Sequence, residues 1–261
     1  MTQENSNQSS NGLSANIKLL IGAVIVLVVA VALYFITSEK EKTESLPDFS
    51  QHKDIKKMKQ AFFSYLKPLA EQVNQSIKQD KVEFDQLYSS FEKNNSLSDA
   101  QWQDIFELAK KYRMDDDALS KNTELLEELK LRIHPLPTSL VLAQAANESA
   151  WGRSRFAKQG NNLFGQWCFK SGCGIVPKSR PEGETYEVAF FNSPKASIKS
   201  YMMNLNTFSA YEELREKRQQ LIASGKRVTG KALAEGLLNY STRREEYVKE
   251  IQAMIRQNNL E

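Results

Sequence analysis

Cysteine and histidine are almost absent from this chain of 261 residues: there are two of each, Cys168 and Cys173, and His52 and His134. A structural zinc site needs about four such ligands close together, and both histidines are remote from the cysteines in sequence. The cysteines lie in a glycine-rich loop, where a short-range disulfide is the better reading and two reduced thiols the alternative. A disulfide implies an oxidising compartment. Asp115, Asp116 and Asp117 do not build a calcium loop, because the EF-hand pattern around them is missing. No nucleic-acid motif is present, nor the basic–aromatic strands of an RNA-binding sheet, so no nucleic-acid partner is expected. Aspartate is absent from Leu131 to Glu261. Any pair of carboxylates acting within that half must therefore be glutamates.

Charge is uneven. Residues 1–130 hold 16 Lys and Arg against 20 Asp and Glu, whereas residues 131–261 hold 19 against 12. The basic C-terminal half favours a polyanionic partner. There is one long apolar run, Ile17 to Ile36, with Lys18 at its mouth. It is long enough to span a bilayer and apolar all round, unlike an amphipathic core helix. Residues 1–16 are polar and read as a disordered tail, 17–36 as a transmembrane anchor, and 37–46 as a charged tether. Ala30-Val31-Ala32 offers a signal-peptidase site, but the apolar run continues past it, which favours an uncleaved anchor. The flanking lysines do not themselves favour an outside C-terminus.

From Pro47 the pattern is helical. Ile55, Met58, Phe62, Phe63, Leu66 and Leu69 recur at helical spacing, with Pro68 as a kink or an end. Further helices are expected near 69–79, 82–93, 99–112 and 121–132, with turns at Asn94-Asn95-Ser96 and Met114–Asp117. Residues 47–130 thus read as a helical platform without chemistry of their own, and 131–261 as the catalytic part. Thr185–Phe191 alternates like a strand and pairs with Gly174-Ile175-Val176 as a small β-hairpin flap. Helices follow from Ser193-Pro194, Tyr211, Thr229 and Arg243.

Leu140, Val141, Leu142, Ala145 and Ala146 make an apolar helix that starts at Pro137-Thr138-Ser139, with Thr138 or Ser139 able to cap it. Glu148 falls in its last turn, at the negative end of the helix dipole. Dipole, partial burial and the neighbouring Trp151 all disfavour the ionised form, as a general acid requires. Gly160-Asn161-Asn162 and Gly165, with Phe164 and Trp167 among them, supply amides and aromatic faces of the kind that sugars use.

The run AQAANESAWGRSRFA followed by GNNLFG resembles the signature of the N-acetylglucosaminidases of glycoside hydrolase family 73, the autolysin and flagellar-hydrolase type, in which the glutamate is the catalytic acid. Ala150 stands where that pattern has Gly. The continuation GQWCFKSGCGIVP and the segment YMMNLNTFSAYEELR resemble the Bax-type branch of the family. The likeness covers Leu131 to about Leu260. It implies a mainly α (α+β), lysozyme-like catalytic domain. It also implies hydrolysis of β-1,4 bonds of peptidoglycan after N-acetylglucosamine, with no metal or organic cofactor. With the paired cysteines, it places the catalytic part on the periplasmic, extracytoplasmic side of the inner membrane. The alternatives are a muramidase or lytic transglycosylase acting on the same glycan, and a non-catalytic wall-binding or morphology protein.

Glycosidases commonly use two carboxyl groups. The expected second is Glu182, in the Pro181-Glu182-Gly183 turn of the flap, loosely where the family's proposed second glutamate falls. Glu187 is the runner-up. A third option dispenses with a second carboxylate and uses the substrate's own 2-acetamido group. Tyr240, in Asn239-Tyr240-Ser241-Thr242, resembles the family's cleft-lining tyrosine. Trp151, Asn161, Asn162, Phe164, Trp167 and Tyr240 are the expected substrate contacts. Tyr247 stands as a second cleft tyrosine or as core.

Overall fold

The computed structural model describes residues 44–261. Its longest element follows from the periodicity in residues 55–94: one helix, α1 (Ile55–Asn94), opened by Asp54 accepting from the Lys57 N–H and closed by Asn95 in the left-handed conformation. At 40 residues it runs about 60 Å. Separate helices were expected here, broken around Pro68. The helix instead runs through Pro68, which sits on the exposed face. Ser64, whose carbonyl Pro68 leaves without its helical donor, is exposed, while Leu66 and Ala70 on the other face are buried.

Helices α2 (Asp99–Lys111) and α3 (Thr123–Arg132) follow, the first opened by a Ser98/Gln101 capping box and the second by Asn122. Next come α4 (Thr138–Ser149) and the short α5 (Arg155–Gly160). Three short strands, β1 (Trp167–Cys168), β2 (Gly174–Ile175) and β3 (Glu187–Ala189), form an antiparallel sheet in the order β1-β3-β2. The expected hairpin is the β2–β3 pair, with Ile175 opposite Val188, and β1 adds a third strand. A Cβ on Gly174 would lie 2.1 Å from the Val188 carbonyl oxygen, so the strands cross closely only with glycine there. The chain ends with α6 (Pro194–Thr207), α7 (Glu212–Ala223), α8 (Gly230–Leu233) and α9 (Glu245–Gln257).

Two hydrophobic clusters hold the fold. The larger joins Met58, Phe62, Leu66, Val73 and Ile77 of α1 to α4, α6 and α9. The smaller joins Phe84 and Leu87 at the far end of α1 to α2 and α3. The first half of α1 is thus part of the core that carries α4, and the expected boundary at residue 130 does not divide the hydrophobic interior. Asn74 of α1 fixes the connector into α4 from both sides, donating to the Leu136 carbonyl (2.7 Å) and accepting from the Leu136 N–H (2.9 Å). The last residues of the expected tether are docked: the Leu46 N–H donates to Asn161 and its side chain is buried.

No helix among the described residues is long and apolar enough to cross a membrane. The segment 17–36 read as an anchor, the tail before it and residues 37–43 of the tether lie outside the described residues.

Candidate active site

Helix α4 brings Glu148 to a half-buried position in its last turn. The chain then turns sharply through three left-handed residues, Ala150 (φ 51°), Trp151 (φ 61°) and Gly152 (φ 73°). The Thr138 and Ser139 side chains do not cap α4 as expected; both lie inside it, and Pro137 occupies the cap position.

A buried hydrogen-bond chain leads to Glu148. The Tyr201 hydroxyl of α6 donates to Gln144 Oε1, the Gln144 amide donates to the Tyr247 hydroxyl oxygen (2.9 Å), and the Tyr247 hydroxyl donates to Glu148 Oε1 (2.7 Å). Gln144 lies one helical turn before Glu148, on the same face of α4. Burial, with Tyr240 and then Glu148 beside it, raises the Tyr247 pKa far above its ordinary value, so Tyr247 stays a proton donor. The Asn147 amide also reaches Glu148 Oε1, at 3.3 Å. Both bonds land on Oε1, leaving Oε2 without a partner among the described residues.

Glu148 opens into a cavity of about 440 Å³, lined also by Phe164, Trp167, Phe169, Tyr201, Phe208, Tyr211 and Tyr240. Polar lining comes from Gln166 and Asn204, joined by a 2.9 Å bond from the Asn204 amide to Gln166 Oε1. The Phe164 and Tyr201 rings stack at 3.8 Å, and Tyr240 stacks on Tyr247 at 5.3 Å. The Tyr240 pKa is likewise raised, by burial and then by Glu148 and Tyr211. Among the described residues lining this cavity, Glu148 is the only carboxylate.

Glu148 thus sits at the end of a buried helix, in an aromatic cleft. The family model described as mannosyl-glycoprotein endo-beta-N-acetylglucosaminidase matches residues 123–260. The chain belongs to this glucosaminidase family. It is a glycoside hydrolase. Protein bax of Escherichia coli (strain K12) is 32% identical over 219 residues, which span 83% of this chain and 76% of that protein. Among solved structures, the catalytic domain of the autolysin Auto from Listeria monocytogenes is similar with a TM-score of 0.43 and 20% identity, covering 83% of this chain and 88% of that one.

Within the glucosaminidase the expected site residues separate. Phe164, Trp167 and Tyr240 line the cavity with Glu148. Asn161 and Asn162 do not; both are buried and their amides are consumed by backbone. Asn161 accepts from the Leu46 N–H and donates to the Glu44 and Phe191 carbonyls. Asn162 donates to the Gln166 and Ala189 carbonyls and accepts from the Phe164 and Gln166 N–H groups. They set the shape of the loop that carries Phe164 instead of touching a ligand. Trp151 also points elsewhere. Its ring packs edge-on against Phe62 and Phe63 of α1, with the Lys59 ammonium 4.6 Å from its centre.

Cys168 and Cys173 form the expected disulfide. Their sulfurs and a Glu187 oxygen lie within 4.8 Å of one another, but the sulfurs are bonded together and each Glu187 oxygen is already engaged. Glu187 accepts from the Gly172 N–H (3.0 Å) and the Gly174 N–H (2.7 Å), which hold its carboxyl below the usual range. It is a clamp for the turn. Glu182 is exposed beside Gly183 (φ 89°) and does not line the cavity.

No motif in the sequence marks Gln144, Tyr201, Gln166, Asn204 or Arg113 as part of the site. Gln144 left one signal, a polar residue in an apolar helix four positions before the acid. Arg113 shows that the helical platform reaches the site: it donates to Asn204 Oδ1 (2.7 Å) and lies 5.0 Å from the centre of the Phe208 ring.

Proposed function

We propose that this glucosaminidase is an endo-β-N-acetylglucosaminidase of peptidoglycan, with Glu148 as general acid and no second protein carboxylate in the chemical step. The observation that carries this is the single carboxylate among the described residues lining an aromatic cavity, tied by Oε1 to the hydroxyl of Tyr247, whose pKa burial raises. Oε2, left without a partner among the described residues, is then the atom free to hand a proton to the substrate. Glu148 gives it to the glycosidic oxygen as the bond to the anomeric carbon breaks, and the bonding electrons leave with that oxygen. The 2-acetamido oxygen of the same sugar closes on the anomeric carbon. Water then opens that ring, losing its proton to Glu148, and the acid is restored. Tyr240, lining the cavity with its hydroxyl held protonated, orients the acetamido group.

The lysozyme-like arrangement, a helical domain with a small antiparallel sheet beside the acid, is the one the resemblance implies, and the mainly helical fold supports it. The apolar segment 17–36 anchors the chain in the inner membrane, with the hydrolase on the periplasmic side; the disulfide supports an oxidising location.

The test compares the full chain, wild type, Glu148→Gln and Glu182→Gln, on purified peptidoglycan and separately on a high-mannose glycopeptide. Fragments are reduced with borohydride and identified by mass. Reduced N-acetylglucosamine ends from peptidoglycan are expected, with a loss of at least ~100-fold for Glu148→Gln and near-normal rates for Glu182→Gln. Muramic or anhydro-muramic ends would overturn the bond assignment. Cleavage of the glycopeptide alone would overturn the substrate. A Glu182→Gln loss matching that of Glu148→Gln would restore a second carboxylate.

A further inference from the structure

We propose that the disulfide-closed turn between β1 and β2 is a sugar-stacking subsite of the cleft, presenting Trp167 and Phe169 to the pyranose face of a β-linked N-acetylhexosamine strand. The proposal rests on the glycan-cleavage reading above and deepens it by assigning the surface that grips the strand away from Glu148.

The two faces of the small sheet divide the work. Trp167 pairs opposite Val188 and Cys168 opposite Glu187. Because side chains alternate along a strand, Trp167 shares a face with Val188 and Tyr186, and Cys168 shares the other with Glu187. On the first face the Trp167 indole lies flat on the Tyr186 ring, with centres 4.4 Å apart and planes within 14°. One face of the indole is thereby supported, yet the residue remains 55% exposed; Phe169, two positions on, is 75% exposed. Both line the cavity that holds Glu148, as does Phe208 at 48% exposure. Large exposed aromatics gathered on one cavity mark a binding surface. A ring supported from behind and open in front loses little freedom when a sugar covers it.

On the opposite face the turn is locked. The Cys168–Cys173 bond closes it covalently, and the Glu187 carboxylate holds the Gly172 and Gly174 N–H groups from inside. The Cys173 N–H closes on the Lys170 carbonyl (3.1 Å) and the Phe190 N–H on the Cys173 carbonyl (3.2 Å). Ordering a free turn of this length would cost binding energy. The disulfide and Glu187 are thus positioning groups that keep Trp167 and Phe169 in place before substrate arrives. None of them touches Glu148, Gln144, Tyr201 or Tyr247, which stand on α4, α6 and α9. Loss of the clamp should therefore appear in binding and not in the chemical step.

The experiment uses the full chain and a soluble β-1,4 N-acetylglucosamine tetrasaccharide as probe. Its Kd is measured by calorimetry in the Glu148→Gln background, and kcat and KM are measured on solubilised peptidoglycan strands. The variants are Trp167→Ala, Phe169→Ala, Phe169→Tyr and the double Cys168→Ser/Cys173→Ser, each checked for native helical content. Trp167→Ala and Phe169→Ala are expected to raise Kd and KM about tenfold. The cysteine double should raise them severalfold, Phe169→Tyr should bind like wild type, and kcat should stay within about twofold throughout. Unchanged Kd and KM in folded Trp167→Ala and Phe169→Ala would overturn the proposal, as would a fall in kcat without a change in KM. If wild type cleaves no peptidoglycan but the tetrasaccharide binds with the expected pattern, the cleavage reading falls and the subsite stands. If cleavage is normal and the pattern is absent, only the subsite falls. If wild type neither cleaves nor binds, both fall.

Discussion

Glu148 owes its setting to two side chains that are neither acidic nor adjacent to it in the motif. Gln144 fills both of its roles inside the core, accepting from Tyr201 and donating to Tyr247, and this leaves the Tyr247 proton no acceptor but the carboxylate. Replacing Tyr247 with Phe removes that bond and strands the Gln144 amide. The expected result is a kcat about tenfold lower, with KM little changed, because the acid loses its fixed rotamer but the cavity keeps its lining. Stability should fall by about 1–3 kcal/mol for the unsatisfied amide. Steady-state kinetics and a urea titration on the same preparation check both. If kcat is retained while stability drops, Tyr247 is structural only.

At the scale of elements, the end of α4 is where chain geometry and chemistry meet. The helix stops one residue after Glu148 because Ala150 takes up the left-handed conformation, its N–H closing on the Ala146 carbonyl. Left-handed backbone costs an alanine about 1 kcal/mol, a cost glycine avoids. Ala150 is exposed and its side chain adds little to the interior. Ala150→Gly is therefore expected to stabilise the domain by up to about 1 kcal/mol, a rise of about 2–4 °C in Tm, with activity kept. Thermal unfolding followed by circular dichroism checks it, and a lower Tm would show that the turn is held without strain. Gly152, the third left-handed residue, has no such freedom: a Cβ there would lie 2.9 Å from the Phe49 ring.

Across the whole molecule, the interior between α3, α6 and α7 carries buried positive charge that, among the described residues, has no carboxylate in hydrogen-bond contact. Arg218 is 1% exposed and donates to Asn206 and to the Leu131 carbonyl; burial pulls its pKa down to about 9. Beside it, burial first and then Arg218 and Lys81 lower the His134 pKa to about 3. The sign follows from linkage. Unfolded His134 takes up its proton near its ordinary value of about 6.5, whereas the folded chain does so only near 3. Stability is thus complete above about pH 6.5 and falls as the pH drops from there toward 3, by up to about 1.4 kcal/mol per pH unit for this one proton. Urea midpoints at pH 7.5 and 5 should differ accordingly, and His134→Gln should shrink the difference. An unchanged difference in that variant would assign the acid sensitivity to carboxylates.

Local information in the chain was enough for several features. Apolar spacing marks α4 and both halves of α1, alternation marks β3, and the short spacing of Cys168 and Cys173 anticipates their bond. The Glu148 motif leads to the family, since a helix end, a left-handed turn and the NNLFG loop are all near neighbours in sequence. Tertiary structure alone decided where the ambiguous side chains went. Asn161 looked like a sugar ligand until Leu46, 115 residues away, took its oxygen. Trp151 follows the acid by three residues, yet the left-handed turn swings its ring onto α1. Glu187 and Glu182 are alike in chemistry, but one caps a turn and the other lies in solvent. Pro68 could kink or end a helix, yet α1 runs through it, because burial on the far face outweighs one missing hydrogen bond. Spacing specifies which face of an element a residue occupies. What that face meets depends on contacts between distant segments, which no local pattern contains.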